Sequence, residues 1–255
     1  ASGSCGKAVD ALWCIKKAKN RIDNERWLRL PRGSNGYGQM KTRNENLWLP
    51  IIVLLAASQV QAESLVDGSI DAGKAKSATC MACHGPEGIS STALWPNIAG
   101  QNATYIASQL TAFRDGAKDP SKATRYDLAM TPMSMLLTDE DIRNLAVYYE
   151  SLPAPAQPVA DPSSVAKGEA LYRGGNMEKG TPACIACHGP TGRGNPAANY
   201  PALQGQHAVY TAKQLNDYAS GTRTSDGKTH MMRDTAARLD KEEIDALASY
   251  VQGLR

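Results

Sequence analysis

Histidine is scarce in this chain, four residues in 255, and cysteine is little commoner at six. Six cysteines are few for a disulfide scaffold of this length, so their spacing says more than their number. No apolar run approaches the ~20 residues that a membrane-spanning helix needs. The longest candidate, Leu47 to Ser58, stops far short of it. No segment shows the convincing apolar–polar alternation of a strand. No nucleotide or flavin motif occurs, so any flavin chemistry linked to this protein would reside on another chain.

The formal net charge of +3 hides a division along the chain. Residues 1–62 carry ten basic and four acidic side chains, and residues 63–255 carry eighteen and twenty-one. The basic surplus belongs to the first quarter alone, which excludes the nucleic-acid partner that a pI of 8.5 would otherwise suggest. Within that quarter, Met40 opens a polar stretch with Lys41 and Arg43, followed by the apolar run and by Val60-Gln61-Ala62. A positive start, a short apolar run and small residues before a cut describe a secretory signal peptide. Residues 40–62 are therefore expected to be removed before Glu63. Residues 1–39 read as an upstream extension outside the mature protein, and Cys5 and Cys14 within it receive no function.

The remainder repeats itself. Cys80-Met81-Ala82-Cys83-His84-Gly85-Pro86 returns as Cys184-Ile185-Ala186-Cys187-His188-Gly189-Pro190. Pro96, Gly100-Gln101, Tyr105 and Gln109-Leu110 return as Pro201, Gly205-Gln206, Tyr210 and Gln214-Leu215; Ile142, Leu145-Ala146 and Tyr148 return as Ile244, Leu247-Ala248 and Tyr250. Two domains follow, 63–152 and 163–255, joined by a linker over 153–162. Proline at 153, 155, 158 and 162 keeps that linker extended. Apolar spacings of three and four predict helices over Asp71–Thr79 and Ala103–Asp115, and again over Ser163–Tyr172 and Ala208–Ser220. Thr138-Asp139-Glu140-Asp141 and Asp240-Lys241-Glu242-Glu243 each open a last helix with a capping residue and first-turn acids. The expected fold is all-α.

Cys-x-x-Cys-His is the attachment site of haem c: two thiols add to the porphyrin vinyl groups, and the next residue ligates the iron. A redox CxxC pair has no need of the histidine, and a zinc site would need reduced thiolates in an exported protein. Two of the four histidines stand immediately after the only two CxxC pairs. Two covalently bound haem c groups are therefore expected, on Cys80, Cys83 and His84 and on Cys184, Cys187 and His188. A methionine as second axial ligand suits electron transfer. With Ile142 set against Ile244, only Met130 and Met232 are methionine in both copies. These are the expected distal ligands, with Met133 and Met231 as rivals and His230 as the one histidine competitor. His207 and His230 read as surface residues. Pro96 and Pro201 follow their haem histidines by 12 and 13 residues. Their carbonyls are candidate acceptors for the second imidazole N–H, which fixes ring orientation and basicity.

The CxxCH motif, a proline about twelve residues on, a Gly-Gln turn, a late methionine and a terminal helix resemble class I cytochrome c. Two such modules with a Pro-rich linker resemble the di-haem cytochrome c4 family, as do Leu171-Tyr172-Arg173-Gly174-Gly175 and Met231-Met232-Arg233. The resemblance implies a periplasmic carrier and not an enzyme. It would pass electrons from a membrane quinol-oxidising complex toward a terminal oxidase, in loose association with the inner membrane. The alternative is the di-haem subunit of a larger oxidoreductase, such as a flavocytochrome c sulfide dehydrogenase.

Overall fold

The computed structural model describes residues 64–255, which form one compact unit. The upstream extension, the signal peptide over 40–62, Cys5 and Cys14 lie outside the described residues. Among the described residues no helix is long and apolar enough to cross a membrane.

The fold is all-α, with the same five helices in each module. The first has α1 (Ile70–Lys76), α2 (Met81–His84), α3 (Ala103–Lys118), α4 (Met130–Ser134) and α5 (Asp139–Ser151). The second has α6 (Val165–Gly174), α7 (Ile185–His188), α8 (Ala208–Ala219), α9 (Met231–Ala236) and α10 (Lys241–Gly253). No strand forms among the described residues; Asn176–Thr181 and Asn195–Tyr200 make isolated bridges.

Local chemistry sets the helix boundaries. Thr138 and Asp141 form a capping box at the start of α5, and Asp240 and Glu243 form one at the start of α10. Each box satisfies two backbone N–H groups that the first turn would leave unpaired. The expected lead helix over Asp71–Thr79 is α1 followed by a 3₁₀ turn over Ser77–Thr79, which runs straight into Cys80. In the second module α6 ends at Gly174-Gly175, with Gly175 at φ +69°. An added loop carrying the Asn176–Thr181 bridge then separates the lead helix from Cys184.

The last helix is the spine of each module. α5 packs against α1 and α3, and α10 packs against α6 and α8. The α1–α5 crossing is close because Gly73 has no side chain; a Cβ there would run into the Asn144 carbonyl. Gly168 plays the same part against the Ala246 carbonyl. Leu145, Ala146 and Tyr148 fill the first core, and Leu247, Tyr250 and Val251 fill the second. Burying a side chain of Leu145's size stabilises by about 1.5–3 kcal/mol, so these helices are held mainly by tertiary packing.

Residues 153–161 run without helix between the modules and are not free of them. Gln157 donates to the Gly205 carbonyl at 3.1 Å, and Gln252 donates to the Pro158 carbonyl at 2.9 Å.

Candidate functional site

Each module builds one site around a single helical turn. Cys80 caps α2, and Cys83 and His84 lie within that turn, with the His84 N–H bonded to the Cys80 carbonyl at 3.0 Å. Cys184, Cys187 and His188 repeat the arrangement on α7, with the matching bond at 2.9 Å. All four thiols are free of disulfides. Cys80 packs against the α3–α5 core and Cys184 against the α6–α10 core, so one sulfur of each pair is anchored. Burial pushes the Cys184 thiol up to about 11.

His84 and His188 are buried, at 5 % and 6 % exposure. His84 Nδ1 lies 2.8 Å from the Pro96 carbonyl oxygen, and His188 Nδ1 lies 3.0 Å from that of Pro201. Burial lowers both imidazole pKa values, and the proline carbonyls oppose it only in part. A neutral ring donating from Nδ1 leaves the Nε2 lone pair as its free ligand atom. Among the described residues no group of three His, Cys, Asp or Glu side chains could hold a bare metal ion. Paired free thiols followed by a neutral, oriented imidazole are instead the donor set that a covalently attached haem requires.

Met130 and Met232 sit apart from these turns, on α4 and α9, which pack against α3 and α8. Both are half-buried, whereas Met133, Met135 and Met231 are 51 %, 48 % and 42 % exposed. An aspartate fixes the backbone at each position. Asp127 accepts from the N–H of Met130 at 3.0 Å, and Asp226 from that of Met232 at 3.1 Å. Sequence comparison of the two copies missed this pair, because Asp127 and Asp226 do not fall at the offset that aligns the methionines.

His230 is exposed, in the left-handed region at φ 52°. His207 is a correction to the surface expectation: it is 9 % exposed, and its Nε2 lies 3.2 Å from the Ser90 carbonyl of the first module. Asn102, at the same place in the first copy, reaches the Tyr200 carbonyl of the second module at 2.9 Å. Both positions precede a helix and point into the partner module, an inter-module contact that no helix period reveals.

The Cytochrome c family profile matches residues 70–153 and 165–255. Cytochrome c4 of Azotobacter vinelandii is 43 % identical over 206 residues, 80 % of this chain and 98 % of that protein. The thiosulfate dehydrogenase electron acceptor of Thiomonas intermedia is 36 % identical over 179 residues, 69 % of this chain and 78 % of that protein. The crystal structure of reduced recombinant cytochrome c4 from Pseudomonas stutzeri superposes with a TM-score of 0.72 at 43 % identity. That match covers 74 % of this chain and all of the solved chain.

Proposed function

Given that this chain belongs to the cytochrome c4 family, and so is an electron-transfer protein with covalent haem c in two modules, we propose that it is a periplasmic carrier moving single electrons from a membrane quinol-oxidising complex toward a terminal oxidase. In this reading Cys80 and Cys83 would anchor one haem, and His84 and Met130 would ligate its iron. Cys184, Cys187, His188 and Met232 serve the other. Residues 63–152 and 163–255 are the working domains, 153–162 their linker, and the segment 40–62 directs export.

Bound haem supplies a one-electron iron couple, and a histidine–methionine ligand pair favours the reduced state. The chain's own groups do the rest. Pro96 and Pro201 hold the imidazole rings in one orientation and one tautomer. Two thioether anchors prevent loss of the group. Two protein ligands at each iron leave no position for substrate, which suits a carrier and not an enzyme.

The observation that carries this reading is the bond from His84 Nδ1 to Pro96, reproduced from His188 Nδ1 to Pro201. The test is a mass measurement with acid–acetone extraction of the exported protein. The mass should exceed that of residues 63–255 by two haems, and the pigment should stay with the protein. Extractable haem would refute it.

A second reading draws on the named relative from Thiomonas intermedia: an acceptor of electrons from a sulfur-oxidising dehydrogenase. Co-purification separates the two, since the first predicts a quinol-oxidising complex as electron donor and the second a soluble or tethered dehydrogenase.

A further inference from the structure

We infer that Gln101 and Gln206 are positioning residues, each tuning the iron of the other module through that module's proximal histidine. The inference rests on the ligand reading above and extends it to two residues which that reading leaves unused.

The Gln206 side chain, from the second module, brackets one residue of the first. Its Oε1 accepts the Asn97 N–H at 2.9 Å, and its Nε2 donates to the Asn97 carbonyl at 2.8 Å. Gln101, from the first module, brackets Ala202 of the second in the same way, at 2.8 Å for both bonds. The bracketed residues follow Pro96 and Pro201 in sequence. The Asn97 N–H and the Pro96 carbonyl therefore belong to one peptide unit. That unit accepts from His84 Nδ1–H on one side, at 2.8 Å, and donates to Gln206 on the other. The peptide between Pro201 and Ala202 likewise joins His188, at 3.0 Å, to Gln101.

The physics of the link is the polarisation of an amide. A peptide whose N–H is bonded presents a more negative carbonyl, and successive bonds in such a chain strengthen each other by about 10–30 %. A histidine whose second nitrogen donates to a better acceptor is a stronger ligand for iron. A stronger donor favours the oxidised iron over the reduced one. Each glutamine is well placed to set this. Gln101 is 9 % exposed, and its Oε1 also accepts the N–H of Asn102, at the start of α3, at 2.9 Å. Gln206 makes the matching bond to the His207 N–H, at the start of α8, at 3.0 Å. Asn97 adds a further bond across the boundary, from Nδ2 to the Gly205 carbonyl at 2.9 Å. Each module thereby helps to set the reduction potential of its neighbour's iron through one glutamine side chain.

The test uses the intact di-haem protein and the variants Gln206→Leu and Gln101→Leu. Both reduction potentials are measured by spectroelectrochemistry and assigned to their modules by the shifted haem-methyl resonances. Gln206→Leu should raise the first module's reduction equilibrium constant about three- to tenfold, tenfold being 59 mV for one electron, with a smaller change in its own module. Gln101→Leu should do the reverse. Gln206→Glu covers the case in which leucine separates the modules: it keeps an acceptor for the Asn97 N–H and should leave the first module's potential at or below its original value. Equal shifts at both haems in every variant, or shifts confined to the mutated module, would overturn the inference. His84→Ala tests the underlying ligand reading: it should abolish the low-spin signal of one haem. Survival of both signals would refute that reading and the tuning with it, whereas loss of one signal without crossed shifts refutes the tuning alone.

Discussion

Arg223 of the second module donates to the Tyr105 hydroxyl of the first at 2.5 Å, and Arg125 returns the contact to Tyr210 at 2.7 Å. Both guanidinium groups are buried, at 4 % and 8 % exposure. Each donates to the side-chain oxygens of both Gln109 and Gln214. Each also lies 4.5 Å from the centre of an aromatic ring of its own module, Phe113 for Arg125 and Tyr218 for Arg223. This cluster is the polar centre of the module boundary.

Arg223→Met should therefore weaken the docking of the modules. Losing a charged donor and stranding buried amide and phenol partners costs about 2–4 kcal/mol. Arg223→Lys should recover less than half, because an ammonium cannot bond Tyr105, Gln109, Gln214 and Ser225 in one plane. Guanidinium denaturation of the intact protein measures both. A loss below about 1 kcal/mol in Arg223→Met would show the cluster to be surface decoration.

The oxidised protein should show the weak charge-transfer band of methionine bound to ferric iron. Met130→Ala and Met232→Ala should each remove half its intensity. Met133→Ala and Met231→Ala should leave it, since those side chains stand at the surface. Retention of the full band in Met130→Ala moves the assignment to Met133; retention in Met232→Ala moves it to Met231.

Asp226 holds the backbone N–H groups of Met232 and Arg233 and pairs with the Arg233 side chain at 2.8 Å. Its side chain is 3 % exposed. Asp226→Asn keeps the shape and removes the charge, at a cost of about 1–2 kcal/mol. As pH is raised, the methionine band of the second module should be lost earlier than in the parent protein. The first module, whose Met130 is held by Asp127, should be unaffected. Equal sensitivity of both modules would disprove a local role.

Glu243 is buried, which raises its pKa, but bonds from Lys179, the Asp240 N–H and Asn176 more than reverse this and hold it below the ordinary value of 4.5. The unfolded chain therefore binds more protons than the folded one as pH falls through that value. Stability from Glu243 is present above about pH 4.5 and is lost progressively below it. Glu243→Gln should flatten the acid limb of the stability–pH curve without moving the neutral plateau's slope. An unchanged acid limb would assign the acid sensitivity to other carboxylates.

Much of this protein was legible without coordinates because its chemistry is local. The CxxCH turns need only residues one helical turn apart, and both capping boxes are written in four consecutive residues. The all-α reading followed from apolar spacings of three and four, as over Ala103–Asp115 and Ala208–Ser220. The repeat itself singled out Met130 and Met232, the half-buried pair among exposed neighbours. The lead helices were less legible. The extra loop after Gly175 breaks the repeat between lead helix and motif, so α6 lies further from Cys184 than α1 does from Cys80.

What the sequence by itself determined, then, is each module: its helices, its thiols, its histidine and the proline that follows. Only the tertiary structure decided how the modules face each other. Arg125 and Arg223 sit at no common repeat offset, and neither do Asp127 and Asp226, so comparing the copies could not pair them. Gly-Gln read as a turn, and His207 as surface, because a period along one helix reports only which face is buried within its own module. Gln101 and Gln206 find their partners about a hundred residues away. Such contacts exist only once both modules are folded and docked, and the amide geometry that selects them is a property of the interface.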